Sequence, residues 1–293
     1  MTIFDFGSSP VPAHRHLNPG GSEGGWVADT AYVAPTAYVG PDAQVSGSAQ
    51  VYGSAWVFDL AVVSGSARVY GSALVSGSAL VYDSAQVSGS AHVSGSAHVS
   101  GSAHVSDSAV VSDSAHVYGS ALVSGSAVVS GSAHVYDSAQ VSGSAFVFNS
   151  ARVSGPAHVY GSALVSGSAH VSGSAHVSDS AHVYGSALVS GSALVSGSAL
   201  VSGSALIDGV RPYLHWEKNE LTPECKSGDF WTNSDDCHTI RLGCWRGTVD
   251  DLEALIESDK WPSGGDAEYR ATYAPNLRAV VEQVKQALEG WKV

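Results

Sequence analysis

The sequence predicts a mainly β protein, a long regular coil of short strands followed by a small α+β unit. Three observations predict it. Every sixth residue from Val27 to Val201 is valine and Ile207 closes the series, with an alanine two residues before each from Val33 onward. The first corner position of every unit from Gly47 to Gly203 is Gly, Asp or Asn. Beyond Ile207 the repeat stops and charged residues become frequent.

Helical stripes recur at three and four residues and strands alternate at two, so a period of six is not helical. Alanine and valine, two apart, point to one side of a short strand, and their flanking residues point to the other. Gly, Asp and Asn tolerate left-handed backbone better than other residues, which suits a tight corner. Strand and corner are repeated 31 times. Serine and glycine are abundant enough for a flexible linker, but the unbroken valine phase excludes that reading.

The unit, as in Ala97-His98-Val99-Ser100-Gly101-Ser102, resembles that of the hexapeptide-repeat, left-handed parallel β-helix proteins over residues 27–207. The resemblance implies triangular coils of three hexapeptides, about ten of them, stacked at the strand spacing of ~4.8 Å into a rod of roughly 50 Å. The left hand rests on the resemblance alone, since parallel crossovers in general favour the right. The start, His14-Arg15-His16-Leu17-Asn18 through Gly24-Gly25-Trp26-Val27-Ala28 and Thr30-Ala31-Tyr32-Val33, is similar to uncharacterised phage- and prophage-type members often labelled transferases. That likeness implies no assigned activity. Three regions are expected: a cap segment at 1–26, the rod at 27–207 and the α+β unit at 208–293.

Charge narrows the function. Residues 1–207 hold no lysine, ten acids and only three arginines, Arg15, Arg68 and Arg152. A nucleic-acid partner needs a basic stripe, so none is expected. Asp59, Asp83, Asp107, Asp113, Asp137 and Asp179 occupy corner positions, which aspartate suits. No apolar stretch is long enough for a membrane span and the start does not read as a signal peptide. The three cysteines, Cys225, Cys237 and Cys244, are odd in number, so a cytoplasmic location is expected, or a virion-associated one from the resemblance. Alanine and valine fill the interior, so any site lies on an outer face, at an end or between subunits.

In the last region, residues 238–245 alternate like a strand. Thr248 and Asp251 form a capping-box variant opening a helix to about Glu257, with Leu252, Leu255 and Ile256 as its apolar face. Pro275 suits the first position of a final helix carrying Leu277, Val280, Val281, Val284 and Leu288. The unit is expected to cap the rod's open edge, with Trp216, Trp231, Trp245, Trp261 and Trp291 filling its core, or forming a surface for a protein partner or a sugar as the sharper reading. The cysteines with His238 lack a tight Cys-x-x-Cys knuckle, which argues against zinc. No metal or other cofactor is expected.

An 18-residue coil sorts the outward residues into three faces. One is an apolar strip through Trp56, Leu74, Val110, Val128, Phe146, Leu164 and Leu200, expected to be a subunit or partner interface. A second carries His98, His116, His134 and His170, with Arg152 among them and Tyr82, Tyr118 and Tyr136 beside them. Protonating stacked histidines brings like charges together, which should depress their pKa values. Metal capture and a pH-sensitive contact are the sharper readings of this face, and polar filler is the plain one. The third face, from Tyr32 to Leu194, shows no chemical order. The expected function is that of a non-catalytic structural or interaction protein of phage or prophage type, self-associating, and trimeric if the resemblance holds. The alternatives are an acyl-CoA-dependent acyltransferase with an inter-subunit histidine, and an ice- or metal-binding rod. Against the enzyme, none of the nine repeat histidines stands out and no loop interrupts the coils, so no catalytic residue is assigned. Against ice binding, Thr-x-Thr rows are absent.

Overall fold

The computed structural model describes residues 2–7, 10–207, 214–216, 228–232, 238–242, 245–258 and 267–289. It is a parallel β-solenoid of about ten coils with a small C-terminal region that holds two helices. Each hexapeptide contributes one two-residue strand, its second residue being the valine. Strands 18 residues apart lie side by side in parallel, as Leu122 with Gln140 and Val123 with Val141. The coils therefore generate three parallel sheets, one per side of the rod.

The backbone explains the stacking. Each rung donates to the next: the Leu122 N–H to the Ala139 carbonyl at 2.9 Å and the Ser124 N–H to the Val141 carbonyl at 3.0 Å. Valine and alanine point inward. From Ala37 to Val201 no inward alanine or valine exceeds 2 % exposure, so the interior is a solid column. Each corner places its Gly, Asp or Asn at positive φ, as expected of the left-handed region. A Cβ at Gly47 would come within 2.7 Å of the Gly65 carbonyl oxygen one coil on, so the corner is crowded as well as left-handed.

The corner aspartates contribute more than a permitted conformation. All six accept a hydrogen bond from the corner glycine of the following coil, as Asp59 Oδ2 does from the Gly77 N–H at 3.0 Å and Asp137 Oδ2 from the Gly155 N–H at 3.2 Å. Every Asp or Asn at a left-handed corner is followed 18 residues later by glycine. The carboxylate thus ties one coil to the next where the neighbour has no side chain in the way.

The start of the chain closes one end. Strand β1 (Thr2–Asp5) pairs antiparallel with β2 (Pro10–Leu17), which pairs antiparallel with β3 (Glu23–Ala28). Strand β3 then runs parallel to Gln44–Val45 and becomes the first rung of the histidine-bearing sheet. Phe4 stacks on Trp26 with ring centroids 4.6 Å apart, and the Arg15 guanidinium lies 4.7 Å from the indole centre. The sheet behind the apolar strip is finished differently. Buried Asn18 imitates a strand: its Oδ1 accepts from the Val39 N–H at 2.8 Å and its Nδ2 donates to the Val39 carbonyl at 3.1 Å. His16 Nε2 lies 3.1 Å from the Ala37 carbonyl oxygen beside it. These contacts satisfy edge groups that would otherwise invite another chain.

At the other end, the strand Gly228–Thr232 lies against the last rung, Leu206–Ile207. It belongs to an antiparallel sheet with Leu214–Trp216, His238–Leu242 and Trp245–Gly247. The single strand expected over 238–245 is a hairpin: the chain turns after Leu242, and Trp245 pairs back against it. Alternation alone could not show that reversal, since both arms alternate. Helix α1 (Val249–Glu257) begins on the expected box, with the Asp251 N–H donating to Thr248 Oγ1 at 3.1 Å and the Thr248 N–H to Asp251 Oδ2 at 2.8 Å. Helix α2 (Ala267–Glu289) starts earlier than expected and carries Pro275 in its interior. Proline forfeits one helical hydrogen bond, but its ring is exposed here, and Ala274, Leu277, Val280, Val281 and Val284 around it pack with Val249, Leu252, Ile256 and Ile240. That packing outweighs the local penalty. Cys225, Cys237, Cys244, Trp261 and Trp291 lie outside the described residues. No described helix is long and apolar enough to cross a membrane.

The column predicts a sharp contrast at adjacent residues. Val123 is fully buried and Ser124 is half-buried on the outside. Val123→Asp should cost at least several kcal/mol, because the carboxylate enters an apolar column without a partner. Ser124→Asp should cost less than about 0.5 kcal/mol. Thermal melts of the two variants check this, and equal tolerance would refute the inward assignment.

Candidate functional site

With the interior filled, chemistry resides on the outward positions, and the sheets bring these into columns. The histidine face is the most ordered. His98, His116, His134, Arg152 and His170 occupy five consecutive rungs in exact lateral register. Parallel pairing forces this, since residues 18 apart must be neighbours. The His98 and His116 rings stack at 4.7 Å, and His116 and His134 lie 4.9 Å apart at a 44° tilt. In the outward positions just after the valines, Tyr118 stacks on Tyr136 at 5.0 Å, nearly parallel. Tyr82 stands edge-on to His98 and Tyr118 edge-on to His134. The four histidines predicted to share a face do share one, and Arg152 separates the last from the other three.

Electrostatics follow from that order. His116 titrates below its ordinary value, first because it is partly buried and then because His98 and His134 flank it. His134 and His170 are also lowered, by burial first and by the Arg152 guanidinium second. The expected repulsion among like charges is thus present, but desolvation between stacked neighbours is the larger cause. Tyr118 is raised, again chiefly by burial, with Tyr136 and Asp137 adding to it. Near neutral pH the lowered imidazoles of His116, His134 and His170 are uncharged and stand beside the Arg152 guanidinium.

The apolar strip is also assembled in register. Trp56, Leu74, His92, Val110, Val128, Phe146, Leu164, His182 and Leu200 follow one another on successive rungs. The strip is less naked than its composition implies. Only Trp56 (49 %) and Phe146 (44 %) of its apolar members are exposed, while Leu74, Val110, Val128, Leu164 and Leu200 are half-buried by their neighbours. His92 and His182 divide it into three stretches. Sequence reasoning missed one local feature. Gly40 stands where other units carry Ala, Ser, Tyr or Phe, and a notch of about 270 Å³ opens there between Tyr38, Trp56, Phe58 and the acids Asp42 and Asp59. The signal was the missing side chain at residue 40.

Among the described residues no group of three or more His, Cys, Asp or Glu is placed to hold a metal ion. No family model and no curated protein matches the chain.

The lowered histidines set a pH dependence. Their folded pKa values lie below the ordinary 6.5 of the unfolded chain. The unfolded chain therefore binds more protons between those values, and stability rises with pH across that window. The contribution is complete above about pH 7 and is lost as pH falls through the folded values. Replacing His116, His134 and His170 together with glutamine should flatten the acid side of the stability curve. Denaturant midpoints from pH 4.5 to 7.5 measure it, and an unchanged profile would make the column electrostatically idle.

Proposed function

We propose that this chain is a non-catalytic structural protein whose rod associates with copies of itself through the apolar face. The carrying observation is the register of that face, which lines up apolar side chains along nearly the whole rod. An isolated rod leaves this column part-exposed, with Trp56 and Phe146 the most open to water of its apolar members. About ten rungs at ~4.8 Å, with a side some 15 Å across, offer roughly 700 Å², close to the ~800 Å² per partner of a stable interface. A second copy fits this occupant best, because a straight strip repeating at the strand spacing matches another strip with the same repeat.

The finer assignment belongs with this reading. The six-residue unit and the segment from His14 to Val33 support a left-handed hexapeptide-repeat rod of phage or prophage type, in which trimers are common. The antiparallel sheet against the last rung supports a capping role for the C-terminal region, with a protein partner there as its further use.

Each large side chain withdrawn from water at the strip contributes about 1.5–3 kcal/mol before association costs. Changing Val128, Phe146 and Leu164 together to serine should leave circular dichroism unchanged, since all three point outward, and should shift size-exclusion elution to the monomer. A triple variant that keeps its assembly would remove this face from the interface.

One observation favours acyl transfer as a second reading. His116 and His134 are held neutral near pH 7, as a general base must be. Their rings stack on each other, however, and the surrounding sheet is flat. Acetyl-CoA with a panel of amine and hydroxyl acceptors should therefore show no turnover. Turnover abolished by a single change such as His116→Ala would replace the structural reading with the enzyme.

A further inference from the structure

The two arginines within the coils stand in different company. Arg68 lies in register between Gln50 and Gln86, whereas Arg152 lies in register between His134 and His170. Arg152 is exposed, and among the described residues no carboxylate forms an ion pair with it; those formed there include His14–Asp29, Arg15–Glu23, Arg278–Glu257 and Lys285–Glu253. A guanidinium keeps its charge at all working pH values and presents a planar fork of five donors. In a chain of net charge −13, Arg152 shares with Arg68 the lack of an ion pair among the described residues, and differs from it in standing between two imidazoles.

We propose that Arg152, His134 and His170 form a binding site for a tetrahedral oxyanion of the phosphate and sulfate class. The guanidinium fork takes two oxygens of such an ion. The flanking imidazoles stand one strand spacing, ~4.8 Å, to either side. A donor about 2.8 Å from an oxygen is roughly 4 Å from the centre of the ion, so an ion on Arg152 would meet both neighbours once each imidazole leans about 1 Å toward the Arg152 rung. Each imidazole then donates through a ring N–H, and each donates more strongly when protonated.

The site is coupled to protons. Arg152 disfavours protonation of His134 and His170; a bound dianion reverses that repulsion, so binding raises both values and takes up protons. Affinity therefore rises as pH falls through the histidine range. The surrounding groups do not cancel this. His116 and His98 continue the column beyond His134, Tyr118, whose phenol is held above its ordinary value chiefly by burial, stacks on Tyr136, and Leu188 follows His170 on the next rung. Asp137 is the nearby carboxylate, and its Oδ2 already accepts the Gly155 N–H at 3.2 Å.

Sulfate is the clean probe, because it stays a dianion from pH 5.5 to 7.5 while the histidines titrate. Sodium sulfate titrated at constant ionic strength, followed by imidazole NMR, should bind saturably and at least fivefold more tightly at pH 5.5 than at 7.5. The His134 and His170 pKa values should rise, with His104 on another face unmoved. Arg152→Gln should weaken binding tenfold or more, and Arg68→Gln should leave it unchanged. Replacing His134 and His170 with glutamine should keep residual binding but remove its pH dependence. Inorganic phosphate and a phosphate monoester, run side by side, tell a free ion from an esterified one. Equal affinity in wild type and Arg152→Gln, or shifts spread evenly over all rod histidines, would overturn the proposal. The wild-type shift pattern is read without substitution, so a variant that fails to fold does not blunt the test.

Discussion

From Gly47 to Gly203 a corner residue in left-handed backbone recurs every six residues, and the strands of the rod over that span depend on it. The turn must be tight enough to bring three strands around an interior only one alanine and one valine wide per side. It must also be flat enough for the next coil to stack on it at the strand spacing. Both demands fall on one position. The left-handed conformation costs an ordinary residue roughly 1–2 kcal/mol, and the space above it is occupied by the backbone of the next coil. Glycine meets both demands, and aspartate meets them with help. Its side chain offsets the crowding, because the carboxylate accepts a hydrogen bond from the N–H of the corner glycine one coil on. The pattern of corner acids is therefore a pattern of ties between coils rather than an electrostatic surface.

A rod built this way is close to one-dimensional. Each coil touches only its neighbours, so stability is approximately a sum of identical coils and identical contacts, and the ends become the special places. The N-terminal end uses two devices. A hairpin prolongs one sheet, and the Asn18 amide imitates a strand for another. Gly25 permits the first of these, because a Cβ there would run into the Ala43 carbonyl. The far end is met by an antiparallel sheet whose own stability comes from the cluster between α1, α2 and Ile240. A regular body thus borrows irregular chain at its N-terminal end to finish its hydrogen bonding, and at the far end has a separate sheet packed near its last rung.

The same register that builds the interior organises the surface. Any outward residue is repeated as a neighbour 18 residues later, so chemically ordinary side chains become columns. An isolated histidine on an exposed strand titrates without consequence; in a stack at 4.7–4.9 Å, partial burial and like neighbours shift it. Arg152 among histidines and Arg68 among glutamines differ only in what the coils set beside them. Function on such a rod is a property of columns.

The sequence alone determined which residues face inward and where the chain turns, because those follow from local sterics at a fixed period. It also determined the α1 start, since the Thr248–Asp251 box closes within one turn. The outward columns were readable once the coil was taken as 18 residues, and the histidine and apolar faces are assembled as that count requires. Only the tertiary structure decided how exposed those columns are. Leu74 and Val128 look bare in sequence and are half-buried because each rung shades the next. It alone decided that burial outranks repulsion at His116, that Asn18 finishes a sheet edge, that the chain reverses after Leu242 and that α2 runs through Pro275. These depend on contacts between parts of the chain that share no period. A repeat carries its own geometry in its spacing, whereas a non-repeating segment takes its geometry from whatever it packs against.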